Sequence, residues 1–403
     1  MIRRLRLGLL GVAALLGACA SEPPATTASC PVPAPCPACP VCPVPLPERA
    51  KVSIFEAVGY EHLAGWREDD LVQALPALRS SCRALRFQAG WRDACARLEQ
   101  IDAPDTARLR SFFESEFAAY RIASADGATQ GLVTGYYEPL LRGSRRRQGA
   151  YRYPLYAPPD DLLTIDLAGV HPDLKNMRLR GRLDGKRVVP YYSRAEIENG
   201  GAPLSGKEIV WVDDPIEAFF LQIQGSGRVR LENGETLRLG YADQNGLPYA
   251  SIGRVLIDRG ELQPGEASMQ GIKSWARAHP ERLAELLNRN PSYVFFKELQ
   301  DIDATQGPIG ALGVPLTPLR SIAVDPRFIP LGAPVFLATT WPAREEPLAR
   351  LVLAQDTGGA IRGPVRADFF WGFGAEAGEM AGKMRQEGRL WVLLPNGLSP
   401  PRP

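Results

Sequence analysis

Aspartates in three glycine- and aromatic-rich stretches are the residues best suited to chemistry in this sequence. Asp325 lies in Ala323-Val324-Asp325-Pro326-Arg327, Asp356 in Gln355-Asp356-Thr357-Gly358-Gly359, and Asp368 in Ala367-Asp368-Phe369-Phe370-Trp371. One reading is that these aspartates cap turns, their commonest use. The other is acid–base chemistry. Asp356 ends an apolar run, and Asp368 is followed by three aromatic residues. An apolar surround disfavours the charged carboxylate and lifts its pKa into the range of a general acid, and a second carboxylate nearby pushes the same way.

Other chemistries lack their residues. The chain of 403 residues holds three histidines, His62, His171 and His279, scattered along it. A Ser-His relay and a His-ligated zinc site have nothing to be built from. Gln224-Gly225-Ser226-Gly227-Arg228 is not the nucleophile elbow of serine hydrolases. No metal and no cofactor are expected. With 47 basic and 45 acidic residues the formal net charge is +2, so no nucleic-acid partner is called for.

The amino terminus reads as an export signal. Three arginines within the first six residues precede an apolar run from Leu7 to Ala18. That run is too short for a hydrocarbon core of ~30 Å. It ends Leu16-Gly17-Ala18-Cys19, which resembles a bacterial lipobox with Cys19 as the lipidated residue. No Asp follows Cys19, a pattern similar to outer-membrane sorting. Cys30, Cys36, Cys39 and Cys42 lie in a Pro-rich tract that reads as a stiff, extended tether. Cys82 and Cys95 are either disulfide-bonded or two buried thiols.

The elements that must position the aspartates are mostly strands. Val52 to Ile122 reads as helical, with Asp105 as an N-cap and Leu109, Phe112, Phe113, Phe117 and Tyr120 on one face. After Gly131 the pattern becomes β-rich, with pieces at 131–137, 208–212, 228–231 and 236–239 and an Asn233-Gly234 hairpin turn between the last two. A helical pattern returns over 265–288. Strands follow at 321–324, 334–339, 348–354 and 389–394. The fold class is mainly β, α+β, with a barrel toward the C-terminus.

Asp325, Asp356 and Asp368 match the three aspartates of the 3D domain, a double-psi β-barrel. Upstream, Thr134-Gly135-Tyr136-Tyr137-Glu138-Pro139 and the stretch from Ala218 through Gln222 and Gln224 to Gly227 resemble segments of the membrane-bound lytic murein transglycosylase A family. So do the stretches 240–246, 248–254, 290–296 and 313–318. The resemblance spans roughly 131–394 and consists of many ordered motifs.

The signal peptide at 1–18 and the tether at 19–50 are read from the residues, and the tether is not part of the family pattern; the resemblance implies N-terminal helices and the first part of a barrel at 51–139, an inserted β-rich domain at 140–296, and the rest of the barrel at 297–403. It also implies a peptidoglycan lytic exotransglycosylase of the lyase class. Such an enzyme cleaves the β-1,4 bond from N-acetylmuramic acid to N-acetylglucosamine and leaves a 1,6-anhydro end. Asp368 is the implied acid and base, with Asp356 beside it. Thr134, Gly135, Tyr136, Glu138, Gln222, Gln224, Ser226, Asp325 and Trp371 are the implied glycan contacts. For Tyr136, Tyr137 and Trp371 the alternative is ordinary core packing. The implied partners are peptidoglycan strands, the outer membrane through the lipid anchor on its periplasmic face, and cell-wall synthesis or division proteins; the chain is expected to be a monomer. A hydrolytic muramidase and a non-catalytic glycan-binding lipoprotein are the alternatives.

Overall fold

The computed structural model describes residues 53–101, 104–174, 177, 179–300 and 306–402. The leader, Cys19 and the four tether cysteines lie outside the described residues.

The lead-in opens with a strand, β1 (Phe55–Val58), followed by helices α1 (Leu75–Leu85), α2 (Arg92–Glu99) and α3 (Thr106–Glu116). Asp70 caps a 3-10 turn, after which Pro76 occupies the first turn of α1, where its missing N–H costs nothing. Cys82 of α1 and Cys95 of α2 form a disulfide, the first of the two alternatives. Closing a loop of this size contributes about 3 kcal/mol in the chain-entropy model. Asp105 caps α3, its carboxylate accepting the Arg108 N–H at 2.8 Å. The helical reading of Val52 to Ile122 fails at both ends. Besides β1, Phe117 and Tyr120 leave the helix and belong to β2 (Phe117–Ile122). Pairing with β1 on one side and with a strand from the far end of the chain on the other decides this segment, against its helical spacing.

After β3 (Gly131–Glu138) the chain makes a long excursion. It runs through β4 (Leu140–Ser144), β5 (Tyr153–Tyr156), a small sheet of β6 (Leu163–Thr164), β7 (Arg180–Asp184) and β8 (Arg187–Pro190), and then α4 (Arg194–Glu198). β9 (Glu208–Val212), α5 (Pro215–Gln224), β10 (Ser226–Leu231) and β11 (Thr236–Gln244) follow. β10 and β11 pair as the expected hairpin, with Gly234 at φ 87° in its turn. Next come α6 (Ile252–Asp258), α7 (Met269–Ala278), α8 (Pro280–Leu287) and β12 (Val294–Glu298). The helical pattern over 265–288 is thus two helices, because Pro280 cannot continue α7. A six-stranded sheet in the order β12-β11-β10-β4-β9-β5 holds the excursion together.

The chain returns with β13 (Ser321–Val324), β14 (Pro334–Thr340), β15 (Pro347–Asp356), β16 (Ala367–Phe373), α9 (Gly374–Lys383) and β17 (Arg385–Pro395). Each strand in the ring β3-β16-β13-β15-β14-β17 pairs with the next, and β17 pairs back onto β3. Six strands therefore close a barrel, two of the pairings being parallel, β13 with β15 and β16 with β3. Ile322, Val335, Phe336, Leu351, Val352, Phe369 and Val392 are fully buried in the core around it. This is the mainly β, α+β architecture with a barrel that the sequence leads one to expect. The lead-in helices are tied on by a buried ion pair: Arg320 donates from both terminal nitrogens to Asp69 at 2.8 Å, and the Leu351 N–H donates to the same carboxylate.

Candidate active site

Register across the barrel gathers the chemistry. Ala323 of β13 stands opposite Asp356 of β15 on one side and Asp368 of β16 on the other, and Asp368 stands opposite Thr134 of β3. Residues paired in register share a face, so four neighbouring strands bring Thr134, Asp368, Ala323 and Asp356 to one level. A register shift in the pairing of β13 with β15 passes over Gln355. That irregularity re-aims the side chains. The Gln355 amide turns inward and donates to the Ala77 carbonyl and the Ser81 hydroxyl, while Asp356 turns to the same open groove as Asp368.

Asp368 is the group with acid character. Burial pushes its carboxyl up from the ordinary 3.8 to about 6, and the Asp356 charge adds in the same direction as the smallest cause. Two groups oppose the rise without reversing it: the Thr134 hydroxyl, which donates to Asp368 Oδ1 at 2.6 Å, and the Arg366 guanidinium. Arg366 sits two residues before Asp368, just ahead of β16, and donates to Thr134 Oγ1 at 2.9 Å. Because Thr134 accepts from Arg366, its one O–H is directed at Oδ1, which leaves Oδ2 to carry the carboxyl proton. Thr134→Val removes a donor that favours the charged form. The Asp368 pKa is then expected to rise above 6, with proton affinity increased by a factor of roughly 5 for a hydrogen bond of ~1 kcal/mol. A carboxyl titration by NMR reads this, Thr134→Ser should restore the parent value, and an unchanged or lower pKa in Thr134→Val would contradict the geometry.

The other two aspartates have different surroundings. Asp356 accepts from the Tyr136 hydroxyl at 3.1 Å, the Ala311 N–H at 3.0 Å and its neighbour's N–H at 2.9 Å. Burial and the two nearby carboxylates push the Tyr136 hydroxyl well up, so it stays a donor. Asp325 is 1% exposed, and its oxygens take the Arg327 guanidinium and the Gly363 N–H. Burial alone raises its pKa, but those donors outweigh it and the net shift is down. Asp325 therefore pins the 358–363 loop from behind and offers nothing to a ligand.

The groove has a volume of about 1580 Å³ and is walled by the barrel on one side and the excursion on the other. That exceeds the roughly 300–1,000 Å³ of small-molecule pockets and suits an extended polymer. Thr134, Gly135, Tyr136, Gln222, Gln224, Ser226, Asp356 and Asp368 all line it. Three expected contacts do not. Glu138 is fully buried, accepting from Arg228 at 2.9 Å and from Arg238 at 3.3 Å. Trp371 is 7% exposed and packs between Trp341 and Phe369, its N–H pointing at the Met384 sulfur. It lies behind β3, and a Cβ on Gly135 would come within 2.5 Å of its ring nitrogen, so only glycine admits this packing. Asp325 is the third. Tyr137 is buried too, taking core packing over sugar stacking.

Arg366 and Arg194 were not singled out by sequence reasoning. Arg194 is 1% exposed and donates to the Gln222 side chain at 2.7 Å. The spacing of Arg366 from Asp368 is the one local signal that pointed to either.

The family model described as the MltA specific insert domain matches residues 132–297, and the 3D domain model matches residues 320–394. Membrane-bound lytic murein transglycosylase A of Escherichia coli strain K12 is 36% identical over 298 residues, covering 72% of this chain and 72% of that protein. The crystal structure of MltA from Neisseria gonorrhoeae in its monoclinic form is 42% identical with a TM-score of 0.74, covering 87% of this chain and 94% of the other. E. coli MltA with bound chitohexaose is 30% identical with a TM-score of 0.64, covering 86% and 96%.

Proposed function

The chain belongs to the membrane-bound lytic murein transglycosylase A family, and from that premise we propose that it cleaves peptidoglycan glycan strands without water, with Asp368 as acid and then base. The observation that carries this reading is the raised pKa of Asp368, a carboxyl that lines the groove and holds its proton to about pH 6. Glycan between the groove walls presents its β-1,4 oxygen to Oδ2. Asp368 gives that oxygen its proton, and the bond to the muramyl C1 breaks. The muramyl C6 hydroxyl attacks C1 from within the same sugar and returns a proton to Asp368. An intramolecular nucleophile carries a high effective molarity, so no second carboxylate has to activate water. Asp356, with its oxygens committed to Tyr136 and backbone donors, fits a positioning role. We read residues 51–139 and 297–403 as one barrel domain and 140–296 as its insert.

The test is the mass of muropeptides released from purified sacculi. Transglycosylation gives products one water lighter than hydrolysis does. Fully hydrated products would overturn the mechanism, and no products at all would leave only a binding protein.

The named relatives are membrane-bound, which supports association with the cell envelope. Among the described residues no helix is long and apolar enough to cross a membrane. Cys19 is the proposed lipid anchor, on the outer membrane's periplasmic face. Cys19→Ala should take up no labelled fatty acid, and labelling equal to the parent would dismiss the anchor.

A further inference from the structure

The two groove glutamines on α5 are held in opposite ways. Gln222 accepts from Arg194 at 2.7 Å and from the Val294 N–H at 3.4 Å, and it also hydrogen-bonds the Tyr293 hydroxyl. Its polar atoms are spent on the insert. Among the described residues Gln224 makes one side-chain hydrogen bond: its Oε1 accepts the backbone N–H of Tyr137 at 2.9 Å. A backbone N–H can be answered only by the amide oxygen, so this contact fixes which way the amide faces. Among the described residues nothing accepts from Gln224 Nε2, and Gln224 lines the groove beside Gly225 and Ser226. Tyr137 follows Tyr136 on β3, the strand whose Thr134 touches Asp368. Gln224 thus reaches from the insert to the catalytic strand and shows the groove a pair of N–H donors with no acceptor.

We infer that Gln224 is a specificity-determining residue that reads an acetamido carbonyl oxygen and rejects sugars whose acetyl group has been removed. This rests on the glycan-cleaving function proposed above. An N-acetyl sugar offers a strong neutral acceptor, the carbonyl oxygen. A deacetylated sugar offers an ammonium, which is cationic and donor-only. Facing the Nε2 group, it leaves two sets of donors opposed in a partly desolvated wall, a mismatch that costs far more than a missing contact.

The test uses Gln224→Glu. The glutamate keeps one oxygen for the Tyr137 N–H, so the strand contact survives. The Nε2 donors become a charged acceptor. Binding of chitohexaose and of the glucosamine hexamer is measured on Asp368→Asn protein with and without Gln224→Glu. Mildly acidic pH keeps the amines charged, and roughly 0.5 M salt screens charges beyond a few ångström. The parent should favour chitohexaose by at least about tenfold. Gln224→Glu should shrink that ratio by at least about tenfold, both by weakening chitohexaose and by strengthening the amine. An unchanged ratio with chitohexaose still bound overturns this inference alone. Failure of Asp368→Asn protein to bind chitohexaose at all overturns the glycan reading and this inference with it.

Discussion

Asp368→Asn is expected to take anhydro-muropeptide release below detection, while the folded protein still holds glycan. Acid–base assistance is worth about 10^2 to 10^4 in rate, and one group serving both steps forfeits it twice. The same substitution is expected to raise thermal stability at neutral pH. In the folded chain the Asp368 carboxyl binds its proton until about pH 6, against 3.8 ordinarily. Between those values the folded state holds more protons than the unfolded one. Stability therefore falls as pH rises through that window, and the full penalty applies above it. The shift corresponds to at most about 3 kcal/mol. Asp368→Asn should melt above the parent at neutral pH, with the gap closing below about pH 4. A folded, fully active Asp368→Asn protein would remove the assignment. A variant that melts lower at neutral pH would make Asp368 a structural residue. Asp356→Asn should slow the reaction but barely move its alkaline limit. Burial, and only to a minor degree the Asp356 charge, holds the Asp368 pKa up.

The second large effect is expected at Glu138. Its fully buried carboxylate neutralises Arg228 and Arg238, two arginines of the insert that are themselves buried. Arg228 also stacks 4.0 Å over the Phe373 ring and donates to the Gln306 carbonyl. Glu138→Ala removes the buried carboxylate that the two guanidinium groups share. Breaking a buried pair from one side costs about 3–5 kcal/mol. The denaturation midpoint should fall accordingly, and glycan cleavage should fall with it. Glu138 ends the barrel strand β3 and its partners lie on β10 and β11 of the insert, so the pairing ties one wall of the groove to the other. A Glu138→Ala protein as stable as its parent would show the pairing to be energetically idle.

Local chemistry was legible in the sequence, and long-range pairing was not. The Asp105 cap and the Asn233-Gly234 turn depend on neighbours a few positions away. The 117–122 segment carries helical spacing and yet is a strand, because β17 pairs with it from far along the chain. Asp368 was found from its aromatic surround, which is the physical cause of its raised pKa. Glu138, Asp325 and Trp371 looked like ligand contacts because polar and aromatic residues in a motif read alike, whether they face a groove or hold it in place. Only the fold distinguishes them: two carboxylates are consumed by arginines, and an indole is pressed behind Gly135. The roles of Arg366 and Arg194 depend on partners more than 20 residues away.

β17 joins β14 to β3 and so completes the ring that holds Thr134 against Asp368. It is also synthesised after every other barrel strand. Thr134 and Asp368 are 234 positions apart, and such distant pairings form late and slowly. A growing or prematurely ended chain can carry every catalytic side chain and still lack the strand that closes the barrel around them. The capacity to cut the wall polymer thus arrives only with the finished molecule.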